Sequence, residues 1–152
     1  MAESMGHAMI ASTPTHPVNV LVIEDDEIDV EMVRRAFRKN NVPNRIFHAR
    51  CGADALAMLC GTECQGQEKI TLPCVMLVDM NMPQMNGIEF LEKIRREPML
   101  QDSPAFILST SKRSADVSAA YAHGISGYFL KENVADVVPL LAIYLSINHF
   151  PL

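Results

Sequence analysis

Short apolar, β-branched runs alternate along the chain with longer segments in which apolar residues return every three or four positions. The first run, residues 18–23, is too brief for a helix and is bounded by Pro17 and by four acids, so it predicts a buried strand. Residues 26–40 set Ile28, Met32, Val33, Ala36 and Phe37 at helical spacing. Asn40 and Asn41 end that segment, and Pro43 forbids its continuation. The same pairing recurs in residues 45–49 and 52–60, 74–78 and 86–96, 105–108 and 114–123, and 127–130 and 137–147. Strands and helices in strict alternation predict an α/β fold: a parallel sheet covered on both faces, because crossover connections place the helices there. Residues 1–17 have no periodicity and predict a flexible arm, residues 18–148 the domain, and residues 149–152 a tail. Residues 61–73 form one long irregular link.

Composition narrows the class. The chain has 152 residues, 49% hydrophobic and 20% charged, which suffices for one buried core. No apolar run reaches the roughly 20 residues that a membrane span needs. The first residues lack the basic segment and apolar core of a secretory signal, so a cytoplasmic protein is expected. Cys51, Cys60, Cys64 and Cys74 are then expected to be reduced, buried thiols, and the Cys60–Cys64 spacing lacks the second ligand pair that zinc requires. Net charge is −5, and no basic cluster exceeds Arg34-Arg35 or Arg95-Arg96, which argues against direct contact with nucleic acid. His48, His123 and His149 are scattered and read as surface or core fillers, and the ten methionines as adaptable packing.

Chemistry concentrates where strands end. Ligands of an open parallel sheet bind outside the carboxyl ends of the strands, where strand order reverses. The first strand ends in Glu24-Asp25-Asp26-Glu27 and the third in Val78-Asp79. If the two are neighbours, three or more carboxylates meet, and like charges about 4 Å apart cost roughly 4 kcal/mol per pair at an effective dielectric near 20. A cation is implied, and an all-oxygen donor set selects Mg²⁺ or Mn²⁺. Asp26 and Glu27 are explained equally well as helix capping and dipole acids. Asp79 is not, since Pro83 and Gly87 separate it from the next helix. The fourth strand ends in Ser109-Thr110-Ser111 and the fifth in Leu130-Lys131, which adds a hydroxyl and an ammonium to the same edge as donors for an anion.

This order of acid pair, acid, hydroxyl and lysine resembles the receiver domain of two-component response regulators. The stretch from Val78 through Asp79, Asn81, Pro83 and Asn86 to Gly87 is similar to that family's phosphoacceptor loop, with Leu21 to Asp26 and Gly127 to Lys131 in support. The resemblance implies a flavodoxin-like sheet of order 2-1-3-4-5. It also implies that Asp79 is the phosphorylated carboxylate, with Asp25, Asp79 and the Asn81 carbonyl as metal ligands and Glu24 completing the acid pair. Lys131 would pair with the acids and then with the phosphoryl group. Ser109, or Thr110 after a one-residue shift, falls at the switch hydroxyl and Tyr128 at the switch aromatic. A sensor histidine kinase would be the donor, and the chain would catalyse only its own phosphorylation and dephosphorylation. Competing readings are an aspartyl-phosphate phosphatase of the haloacid dehalogenase class, which needs a carboxylate where Asn81 stands, and a receiver that docks without being phosphorylated.

Three further expectations follow. Serine replaces the family's common threonine at the switch. Glu132 stands where a proline usually follows the lysine, so a trans peptide and a differently shaped loop are expected there. From Val137 to Ile147 the segment is apolar on all sides except for Ser146 and the Tyr144 hydroxyl, with Pro139 expected near the helix start. Its outer face is expected to meet protein, a second copy of the chain in preference to a kinase or effector, with output carried by protein contacts. The acidic first helix and this last one resemble the small receivers that serve phytochrome-type kinases.

Overall fold

A computed structural model describes residues 18–61 and 69–147. The 1–17 arm, the 149–152 tail and Cys64 lie outside the described residues. The elements run β1 (Asn19–Ile23), α1 (Glu27–Lys39), β2 (Ile46–Ala49), α2 (Gly52–Cys60), β3 (Cys74–Asp79), α3 (Gly87–Arg96), β4 (Ala105–Ser109), α4 (Ser114–Ala122), β5 (Gly127–Leu130) and, after a 3₁₀ turn at Lys131–Asn133, α5 (Val134–Ile147). All strand pairs are parallel, in the order β2-β1-β3-β4-β5. That is the flavodoxin-like order, with β1 and β3 adjacent as the carboxylate argument required.

Alternate residues of each strand point to opposite faces. Leu21, Ile23, Met76, Val78 and Ile107 pack with Ala55, Met58, Phe90, Leu91, Ile94 and Ala120 of α2, α3 and α4. Val20, Val22, Val75, Leu77, Phe106 and Leu108 pack with Val30, Val33 and Phe37 of α1 and Val138, Leu141 and Leu145 of α5. The register sets Ile23 opposite Val78, Asp79 opposite Leu108 and Ser109 opposite Leu130. Glu24, Asp79, Ser109 and Lys131 therefore all lie at the same edge of the sheet.

Three expectations are corrected. In α1 the buried face is Val30, Val33, Ala36 and Phe37, whereas Ile28 is 71% exposed and Met32 only partly covered. Five apolar residues within ten positions fit more than one helical stripe, and the sheet selects the stripe through Val30. Helix α5 begins at Val134, so Pro139 is interior to it, and the Ala135 carbonyl loses its partner four residues on. The 3₁₀ turn runs straight into the helix, which moves the start back by three residues. The peptide between Lys131 and Glu132 is trans, as expected, since the cis bond among the described residues is at Leu72-Pro73. Of the three described cysteines only Cys74 is buried, its thiol pushed up to about 12 by desolvation, while Cys60 is exposed and Cys51 caps α2. His48, read as a filler rather than a catalyst, has a structural bond: its Nε2–H donates to the Glu24 carbonyl at 2.7 Å and ties β2 to the acidic edge.

Candidate functional site

Glu24 and Asp79 continue the face of their strands that packs on α1 and α5, and so does Lys131, two residues beyond Phe129. These side chains meet above the sheet edge. The Lys131 ammonium lies 2.6 Å from Glu24 Oε2, 2.9 Å from Asp29 Oδ2 and 3.4 Å from Asp79 Oδ1. Asp29, which sequence reasoning did not select, reaches it from the first turn of α1. Ligand atoms of Glu24, Asp25 and Asp79 lie within 4.8 Å of one another. Glu24 and Asp79 are each 4% exposed, and Asp25 opens to solvent.

Local sequence explains the fixity of these groups. Asp26 Oδ1 accepts from the Ile28 N–H and caps α1, and the Asp26 N–H donates to Glu24 Oε1. The Asn81 N–H donates to Asp79 Oδ1 at 3.4 Å. Asn86 caps α3 through the Glu89 N–H. Gly87 follows because its backbone crosses the end of β3: a Cβ there would lie 2.6 Å from the Asp79 carbonyl oxygen.

The electrostatics follow from burial. Desolvation pushes the Glu24 carboxyl up to about 7, against the pull of Lys131 and the Asp26 N–H. Desolvation also raises Asp79, again opposed by Lys131. At Lys131 burial works to lower the ammonium, but the carboxylates Glu24, Asp29 and Asp79 outweigh it and hold it above its ordinary value. One ammonium thus faces more negative charge than it can neutralise. The donor set is all carboxylate, crowded and partly desolvated, which fits a small hard dication such as Mg²⁺. Among the described residues it is the one group of three or more acidic, histidine or cysteine side chains placed to hold a metal.

Ser109 and Tyr128 sit on the opposite side of the sheet. Ser109 continues the Ala105, Ile107 face, is fully buried and accepts from the Ser111 N–H at 3.0 Å. Thr110, by contrast, is exposed. Tyr128 is half-buried against the α2, α3 and α4 core and donates to the Ser111 carbonyl at 2.9 Å, while Ser111 Oγ donates to Asp116. Helix α4 buries only Ala120 and has no side-chain cap at its start, so this small network anchors its first turn.

An α/β sheet whose carboxyl edge gathers a buried aspartate, an acid pair and a lysine defines a phosphoryl-accepting class of protein. The family's sequence model, described as the response regulator receiver domain, matches residues 20–140, and the chain belongs to that family. Response regulator Rcp1 of Synechocystis is 29% identical over 127 residues, 82% of this chain and 84% of that protein. A two-component response regulator from Legionella pneumophila is 34% identical at a TM-score of 0.75, covering 85% of this chain and 98% of its own. The Mn²⁺-bound form of Rcp1 (26%, TM-score 0.74, covering 90% and 100%) and the bacteriophytochrome response regulator RtBRR (27%, TM-score 0.73, covering 89% and 81%) share the fold as well. The chain is a phosphorelay response regulator. No described helix is long and apolar enough to cross a membrane.

Proposed function

We propose that Asp79 accepts a phosphoryl group from a phosphohistidine of a sensor kinase, and that Asp25, Asp79 and the Asn81 carbonyl hold Mg²⁺, with Glu24 completing the acid pair through water. The observation that carries this reading is the convergence of Glu24, Asp25 and Asp79 within 4.8 Å beside a single ammonium. When bound, the ion would neutralise the carboxylates and the phosphoryl oxygens. The chain's own part is positioning and charge. An Asp79 oxygen attacks phosphorus in line. As the O–P bond forms the P–N bond breaks, and the imidazole nitrogen keeps the electron pair and takes a proton from solvent. Lys131 turns from the acids to a phosphoryl oxygen. The new dianion attracts the Ser109 hydroxyl, loosening its bond to Ser111 and with it the Tyr128 anchor, so the weakly held α4 shifts against β5 and α5.

The relative RtBRR, a bacteriophytochrome response regulator, supports a phytochrome-type kinase as donor. The exposed row Leu140, Ile143, Ile147 on α5 carries no charge that would select an acidic or basic partner, and it supports a homodimer through Val137 to Ile147. On this reading the reaction is cytoplasmic, and the acidic balance of the chain speaks against a nucleic-acid target. The phosphatase reading lacks its general acid, because Asn81 occupies that position.

Incubation with labelled acetyl phosphate and Mg²⁺ is expected to label the wild-type protein and leave Asp79→Asn unlabelled. Label on the variant at wild-type stoichiometry overturns the assignment. Sedimentation of Ile143→Asp against wild type, with and without beryllofluoride, tests the dimer; a wild-type protein that stays monomeric in both conditions removes it.

A further inference from the structure

We propose that Asp29 is a positioning residue that holds the Lys131 ammonium in the unphosphorylated state and so limits how readily that ammonium is given to a phosphoryl group on Asp79. The inference rests on the Asp79 reading and deepens it. Lys131 has three N–H donors and faces three carboxylates, and it lies closer to Glu24 (2.6 Å) and Asp29 (2.9 Å) than to Asp79 (3.4 Å). Glu24 and Asp79 belong to the group placed to hold the metal, and Asp29 does not. Its carboxylate is therefore free of the ion and has Lys131 as its ion-pair partner.

The surroundings restrict where the ammonium can go. Val22, Met32, Leu108 and Val134 wall the Glu24, Asp29 and Lys131 side chains around a cavity of about 20 Å³, room for about one water. With apolar walls on that side, the ammonium moves along the row of carboxylates, and pulling it toward Asp29 draws it from Asp79. The Lys131 and Asp29 side chains are 17% and 28% exposed, so the pair is only partly screened. When a phosphoryl group arrives, Lys131 must leave Asp29, and a lone carboxylate remains next to the incoming dianion. Asp29 thus favours the unphosphorylated arrangement on two counts, by attraction to Lys131 and by repulsion of the phosphoryl oxygens.

Beryllofluoride affinity at saturating Mg²⁺ and Mg²⁺ affinity alone, both by calorimetry on the full chain, separate this from a structural role. Asp29→Asn is expected to bind beryllofluoride about three- to tenfold more tightly, with Mg²⁺ affinity no higher than wild type. Asp29→Glu, which keeps the charge, is expected to stay near wild type. Damage to the fold would weaken both affinities, so equal or weaker beryllofluoride binding in Asp29→Asn overturns the proposal, as does equal tightening in Asp29→Glu. Asp29→Ser serves as the neutral variant if the asparagine does not fold, with the same expectation. If wild type takes up no beryllofluoride, the Asp79 reading itself falls; if wild type binds it and the neutral variant gains nothing, only the role of Asp29 falls.

Discussion

Replacing Asp79 with asparagine removes a charge that the metal-free fold holds at a cost, so the variant is expected to be more stable than wild type. At the 4.8 Å limit that spans the three ligand atoms, two carboxylates repel by about 3.5 kcal/mol at an effective dielectric near 20. Glu24 and Asp25 together then oppose Asp79 by about 7 kcal/mol. Attraction to Lys131 at 3.4 Å returns about 5 kcal/mol on the same scale. A net repulsion near 2 kcal/mol is left, to which burial of the carboxylate adds and screening at the exposed Asp25 subtracts. A gain of about 1–3 kcal/mol is expected, or about 2–10 °C in Tm for a chain of this length. Circular dichroism melts at pH 8.5 in EDTA, where Glu24 is ionised, give the comparison. Excess Mg²⁺ should raise the wild-type Tm by mass action and the variant's much less, narrowing or reversing the order. A variant that melts no higher than wild type in EDTA, with an equal Mg²⁺ shift in both proteins, would refute the crowding and the metal assignment together.

The metal-free protein should lose stability as pH rises from about 4.5 to about 7. Glu24 has a folded-state pKa above its ordinary value, so the native state binds more protons across that window, and the loss is complete above it. Melts in EDTA across this range should slope downward, and excess Mg²⁺ should flatten them; stability that rises through the window would contradict the burial argument. At the opposite edge of the sheet, the Arg95 guanidinium donates to the carbonyls of Gln101, Ser103, His123 and Gly124, tying the ends of α3 and α4 and the turn before β4. Arg95→Met is expected to cost about 2–4 kcal/mol in urea denaturation while leaving Mg²⁺ affinity unchanged, because the bonds it breaks are remote from the acids.

The elements themselves were readable because strands and helices carry different hydrophobic periods, and the strand-end acids because no helix cap accounts for Asp79. What stayed hidden has a common cause. Strands buried on both faces are continuous apolar runs, so nothing in Val20 to Ile23 or Ala105 to Leu108 marks which residue points to which face. The placement of Lys131 with Glu24 and Asp79 on the α1 side, and of Ser109 and Tyr128 on the α4 side, therefore had no period-2 signal to announce it. Asp29 was masked differently: an acid in the first turn of a helix is adequately explained by the dipole. A signal was nonetheless present once the correct stripe of α1 is known. Asp29 lies four residues before Val33 and seven before Ala36, on the face that turns to the sheet. A carboxylate on the buried side of a helix needs a cation, and the cation that reaches Asp29 from that edge of the sheet is Lys131. A stripe drawn through Ile28 omits Val30, and with it the part of the helix where Asp29 turns to the sheet. The same reasoning makes a polar residue on a helix's sheet-facing stripe a useful pointer to a site wherever the strand ends supply its counter-charge.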